Sequence, residues 1–363
     1  MHAEVSIASS LETLCHLLRE SAGDLEEHHG WPQHQLKSCA EHGVYRWFIP
    51  EEFGGWNWSE RQILEGYLAI SQSCLTTSFV LTQWNAASRR IAASPNLALR
   101  ELLLPGMAAG KVFATVGISH LSTSRQHIGR PVLSAELQPD GGYLLNGYSA
   151  WVTGAAHADI LVVGATCHDG TQILCAVPQT REGVRAYPGQ RLVALTASCT
   201  DKIELQNVRV NASEVLAGPI ENVMQAGGGG TGGLQTSTLA IGLALAATNY
   251  LQTQATQRGD LSDVASKLTC DASNLRESLF ALAESRPTRL SAGELRSRAN
   301  SLALRSTQAA LTAAKGAGFA ADHPVGRWAR EALFFLVWSC PQPVVASNLL
   351  ELSQNRWDAC ELN

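Results

Sequence analysis

Apolar residues recur at helical spacing in Leu11, Leu14, Leu17 and Leu18, and again in Ile63, Leu64, Tyr67, Leu68 and Ile70. This pattern predicts helices over residues 9–110. Pro50 and the pair Gly54 and Gly55 punctuate them, and Pro105 with Gly106 marks the approach to a boundary. From 112 to about 218 the chain changes to short β-prone runs: VLSAEL (132–137), YLL (143–145), ILVV (160–163), ILCAV (173–177) and IEL (203–205). Turn signals at 139–142 (PDGG) and 168–170 (HDG) separate them, as an antiparallel barrel or sandwich requires. After the glycine-rich stretch 227–233 (GGGGTGG) the helical period returns. The segment 239–247 (LAIGLALAA) is apolar nearly all round and reads as a central helix packed on several sides. Further helices are predicted at 263–284, 294–315 and 325–338, the last stopped by Pro341 and Pro343.

Composition narrows the classes. A chain of 363 residues, 45% hydrophobic and only 16% charged, can fill more than one core, and its low charge suits burial of surface in an oligomer. The net charge of −5 supplies no basic footprint, so neither nucleic acid nor an anionic membrane surface is expected as a partner. Nine scattered cysteines contain no Cys-x-x-Cys pair, which argues against a thiolate metal site. Free thiols and the absence of a basic, then apolar leader predict a reducing, cytoplasmic setting. The most apolar stretch, near 239–247, is too short to span a bilayer.

Several local sequences then point one way. GYLLNGYSAWVT at 142–153, followed by ADILVVG at 158–164, resembles the flavin-facing strands of the acyl-CoA dehydrogenases. EHGVYRWFIPEEFGG (41–55), LTASCTDKIELQNVRV (195–210) and GAGFAADHPVGRWARE (316–331) are similar to other segments of that family, in the right order over nearly the whole chain. The resemblance implies an N-terminal helical domain (1–111), a middle antiparallel β-barrel or sandwich (112–219) and a C-terminal four-helix bundle (220–363). It also implies FAD as cofactor, an acyl-CoA or other small-molecule substrate, a homodimer or homotetramer, and an electron-transfer flavoprotein as a possible partner. Trp151 and Thr153 occupy the family's flavin-contact positions, although as a plain strand pair they would be a core indole and a solvated hydroxyl. Val116, Gly117 and Ser124 match the preceding loop, which lacks the family's Glu-Pro and Asp.

The chain departs from the family at its chemistry. Removing a proton from the carbon α to a thioester needs a carboxylate in a water-poor pocket. Counting along the family pattern from Arg330 places Ser339 there, and the alternative location used by some members falls near Gly232. An unactivated hydroxyl is too weak a base to substitute. The cation and aromatic that clamp the cofactor diphosphate are replaced by QATQR (254–258), leaving Arg258, Lys315 and Gly316 as candidate contacts. His120, with Arg125 and His127, forms a polar cluster as a candidate acid, base or anion contact, or a solvated loop. The loop 227–233 lacks a Walker ending and reads as a lid or linker. Three functions stay open: an FAD-dependent oxidoreductase of acyl-CoA dehydrogenase type, a flavin-dependent monooxygenase of the same fold, and a catalytically inactive binding or assembly homologue.

Overall fold

A computed structural model describes residues 2–122, 131–225 and 233–354. The chain forms two compact units, residues 1–233 and 234–363. In the first, five helices precede the sheet: α1 (His2–His28), α2 (Gln33–Glu41), α3 (Glu60–Ser73), α4 (Leu75–Ala92) and α5 (Leu97–Ala108). Helix α3 starts on a reciprocal cap, Ser59 accepting from the Gln62 amide while the Gln62 side chain accepts from the Ser59 amide. Pro105 does not end its helix. It lies in the last turn of α5, where the carbonyl it leaves unpaired is that of exposed Glu101, open to water.

The sheet contains β1 (Ala114–Gly117), then after the short helix α6 (Ser119–Ser122) the strands β2 (Leu133–Leu137), β3 (Tyr143–Thr153), β4 (Ile160–Cys167), β5 (Gln172–Pro178), β6 (Val184–Ala186), β7 (Thr200–Val210) and β8 (Val215–Ile220). Its order is β6-β7-β3-β2-β4-β5-β8, with β1 added on β4. Pairing is antiparallel except at β4, which runs parallel to β1 and, over two residues, to β2. The sheet is therefore mixed, because β1 enters from the helical region and must lie along β4 in the same direction. Strands β1, β6 and β8 carry weak alternation and were not signalled by the pattern. Leu133, Leu145, Val152, Leu161, Val163, Ile173 and Ile203 fill the interior of the curled sheet.

Helices and sheet of this unit are joined by specific contacts. Ser94 donates to the carbonyl of Leu216 at 2.6 Å, and the Asn96 amide donates to Ser213 and Val215 carbonyls at 2.8 and 3.2 Å. Trp31 stacks on His157 with ring centroids 4.8 Å apart and meets Phe113 edge-on.

The second unit is helical: α7 (Leu234–Ala255), α8 (Ser262–Ala283), α9 (Ala292–Ala314), α10 (Pro324–Ala332) and α11 (Gln342–Ser353). Helix α7 packs against α8, α9 and α10, and its Ala- and Gly-rich run 239–244 is buried throughout, as expected of a central helix. Pro341 and Pro343 do not merely stop a helix. They open α11, where a missing amide donor costs nothing because first-turn amides have no intrahelical partner. Among the described residues no helix is long and apolar enough to cross a membrane.

Gly154 follows β3 with φ +64°, and a Cβ there would lie 2.3 Å from the Trp31 ring. Gly154→Ala is expected to destabilise the protein by about 1–3 kcal/mol, through left-handed strain and overpacking together. A lowered urea midpoint at unchanged slope checks it; an unchanged midpoint contradicts this packing.

Candidate functional site

The C-terminal end of β3 departs from regular pairing. Ser149 lies opposite Ile203 and Val152 opposite Asp201, so Ala150 and Trp151 together face Lys202 alone, a β-bulge. Trp151 takes φ +59°, unusual for a bulky residue, and its side chain is expelled: the residue is 55% exposed, while Ser149 and Val152 on either side of the bulge are fully buried. Such a conformation costs energy and persists only where neighbours hold it. Here α6 does so. Ser119 donates to the Ala150 carbonyl at 2.6 Å, and His120 bridges Ser149 Oγ (3.2 Å) and the Gly164 carbonyl (2.9 Å).

Past the bulge, Thr153 sits in a buried line of hydroxyls. Thr115 donates to its carbonyl at 2.8 Å, its own Oγ1 is 2.9 Å from Thr200 Oγ1, and that oxygen is 2.8 Å from Ser198 Oγ. The site thus offers a flat exposed indole backed by a rigid polar chain. Val116 and Gly117 lie in β1, where a Cβ on Gly117 would come within 3.2–3.4 Å of Ile203, Val163 and Ser149. The face of Gly117 that a side chain would occupy is thereby turned to packed neighbours, leaving its backbone as the available contact. Ser124, Arg125, His127 and residues 226–232 lie outside the described residues.

His120 is buried, with both ring nitrogens engaged. A carbonyl can only accept, so Nε2 carries a proton toward Gly164; in the neutral ring that burial favours, Nδ1 then accepts from Ser149. Burial holds its pKa below the ordinary value near 6.5, partly opposed by the Gly164 hydrogen bond. This is the arrangement of a group that positions α6 against β3.

In the second unit, Lys315 ends α9 with φ +54° and Gly316 follows with open space where a side chain would be. Arg258 donates to the Ala313 carbonyl at 2.7 Å and pairs with Asp260 at 3.3 Å, so it completes the C-terminal end of α9. Ser339, expected from the sequence pattern at the family base position, lies half-buried in the turn 337–339 with φ +50°. Two residues of α9, one turn apart, hold this turn: Arg296 Nη2 donates to the Trp338 carbonyl at 2.8 Å, and Asn300 Nδ2 to the Phe335 carbonyl at 3.0 Å. The buried carboxylate Glu331 is paired with Arg327 at 3.7 Å. Arg296, Asn300 and the partners of Thr153 in the hydroxyl line were missed from sequence. A charged residue inside the otherwise apolar stripe Leu295, Ala299, Leu302 and Ala303 was the available signal for the first. No group of His, Cys, Asp and Glu able to hold a metal occurs among the described residues.

A profile described as "Acyl-CoA dehydrogenase, N-terminal domain" matches residues 12–111. The probable acyl-CoA dehydrogenase YngJ of Bacillus subtilis is 23% identical over 83% of this chain and 84% of its own length. Butyryl-CoA dehydrogenase from Megasphaera elsdenii superposes with TM-score 0.84 over 98% of this chain and 99% of that one, at 16% identity. The chain has the acyl-CoA dehydrogenase fold, and residues 12–111 match that family's N-terminal domain. The sequence likeness extends beyond dehydrogenases: dibenzothiophene monooxygenase of Rhodococcus qingshengii is 27% identical over 49% of this chain, which spans 43% of that relative.

The lowered pKa of His120 sets a pH dependence. The unfolded chain binds the proton more readily than the folded one, so stability rises with pH between the folded-state value and about 6.5. Its contribution is full above about pH 6.5 and is lost as pH falls through the folded-state value. Urea midpoints measured from about pH 7 downward are expected to fall in the parent protein and to flatten in His120→Gln. An identical slope in both would assign the loss to other groups.

Proposed function

We propose that this chain is a flavin-dependent oxidoreductase of the acyl-CoA dehydrogenase type, acting on an acyl thioester or related small organic substrate without the usual glutamate. The observation that carries the reading is the indole of Trp151, displayed on the outside of a bulge that three separate contacts brace. An isoalloxazine is a flat apolar ring with a polar edge, and an exposed indole beside buried hydroxyls fits both parts. Trp151 would cover one ring face, while Thr153, the family's second flavin-contact position, is buried and bonded to Thr115 and Thr200 and would brace the bulge from behind. Backbone groups of Val116 and Gly117 would border the site; by the family resemblance Ser124 is a further flavin contact, and Lys315, as the cation, and Gly316 are separate candidates for a flavin diphosphate. Bound there, the flavin supplies two-electron redox chemistry.

Ser339 cannot take the α-proton, so the residues near it would orient the substrate rather than activate it. His120, with both nitrogens occupied, would fix the bulge. A second reading, a monooxygenase of the same fold, is supported by the likeness to dibenzothiophene monooxygenase and by the absence of a carboxylate at position 339. Under the dehydrogenase reading a separate electron-transfer flavoprotein would accept the electrons, and under both the chain would act as a homo-oligomer in the cytoplasm.

Titration of the purified protein with FAD, and separately with FMN, is expected to give a bound flavin absorption band. Trp151→Ala should weaken binding about 3- to 10-fold, the worth of one aromatic stack, with unchanged circular dichroism. Anaerobic bleaching by an acyl-CoA would favour the dehydrogenase, and oxygen consumption by the reduced protein the monooxygenase. Protein that binds neither flavin would leave the inactive homologue standing.

A further inference from the structure

Arg296 is a buried cation with an incomplete set of partners. Only 3% of the residue is exposed, no carboxylate among the described residues pairs with it, and its Nε and Nη1 have no hydrogen-bond partner. The rings of Phe335 and Trp338 flank the guanidinium at 5.8 Å each. Its Nη2 donates to the Trp338 carbonyl and stands 3.9 Å from the Sγ of Cys340. Leaving a buried guanidinium without a counter-ion costs several kcal/mol, so an anion arising beside it is strongly favoured.

We propose that Cys340 is an oxidation site, its thiol converted to sulfenic acid by a hydroperoxide with Arg296 as the activating cation. In the resting state Cys340 Sγ donates to the Phe335 carbonyl at 3.2 Å and lies 3.4 Å from the Trp338 carbonyl. Two carbonyls would repel a thiolate, but Asn300 already donates to the first and Arg296 to the second, which lowers the electron density each turns toward sulfur. The thiolate attacks hydrogen peroxide: an S–O bond forms as the O–O bond breaks, sulfur loses two electrons, and the departing oxygen takes up the thiol proton and leaves as water. The product carries an oxygen on a sulfur that stands 3.9 Å from the guanidinium Nη2 of Arg296. Oxidation would also remove the S–H bond to Phe335 and so loosen the turn that carries Ser339. The inference does not depend on flavin binding.

Cys270 is the internal control, since it is exposed on α8 whereas Cys340 is half-buried. If access alone governed reaction, Cys270 would be modified first. The full-length protein, with no flavin added, is treated with hydrogen peroxide and dimedone, and adducts at each cysteine are quantified by peptide mass spectrometry. Cys340 is expected to be labelled about tenfold faster than Cys270. Arg296→Met should abolish this advantage, and Arg296→Lys, which keeps the charge, should retain part of it. Labelling of Cys270 at an equal or greater rate in the parent protein overturns the proposal, as does an Arg296→Met protein with an undiminished ratio. Should Arg296→Met fail to fold, the parent ratio together with Arg296→Lys decides.

Discussion

The bulge at Ala150 and Trp151 is the constraint from which the rest of the first unit's site follows. Side chains alternate along a strand, so an unbroken β3 would send Trp151 to the same side as Ser149, which is fully buried. One extra residue breaks that parity. Val152 enters the core of the curled sheet, and the indole is left outside. The left-handed conformation of Trp151 is offset by bonds that come from elsewhere in the sequence: Ser119 on Ala150, His120 between Ser149 and Gly164, Thr115 on Thr153. Each of these partners belongs to β1 or to the helix just after it. The parallel placement of β1 along β4 is therefore what brings α6 to the bulge.

The second unit solves a similar problem with charge. Its turn at 337–339 contains an exposed Val337 and a left-handed Ser339, and is closed locally by the Val337 and Trp338 amides donating to the Phe334 carbonyl. Helix α9 adds two polar side chains of its buried stripe, Arg296 donating to the Trp338 carbonyl in the turn and Asn300 to the Phe335 carbonyl just before it. Burying a guanidinium for this purpose leaves donors to spare. A neutral donor would have held the turn at lower desolvation cost, so the retained charge is the unusual feature of this unit.

How much of this was legible depended on whether a property was local. Period and punctuation located the long helices, the five strongest strands and the order helical, sheet, helical, because each is a repeat within one segment. The prolines at 341 and 343 misled for a physical reason: proline excludes the helix interior but not the first turn, and only the structure distinguishes the end of one helix from the start of the next. Trp151 and Thr153 could be singled out by resemblance, yet a bulge is a property of pairing with β7 and leaves little trace in β3 itself. His120 could be named as polar and close to the loop, whereas its burial between Ser149 and Gly164 joins residues 29 and 44 positions away. Arg296 left a trace that was not read, a charge on an apolar stripe.

Sign of charge separates this chain from the chemistry its relatives' sequences imply. A carboxylate at the base position accepts a proton and tolerates neutral surroundings once it has done so. Here the buried ionisable group beside that position is a cation, and burial lowers its pKa while the neighbouring thiol works the other way. A guanidinium cannot take a proton, but it lowers the energy of any anion formed next to it. Arg296, bonded to the Trp338 carbonyl and 3.9 Å from the Cys340 sulfur, gives this turn a buried positive charge. The fold is shared with acyl-CoA dehydrogenases of known structure, and the unpaired charge buried at this turn is a cation.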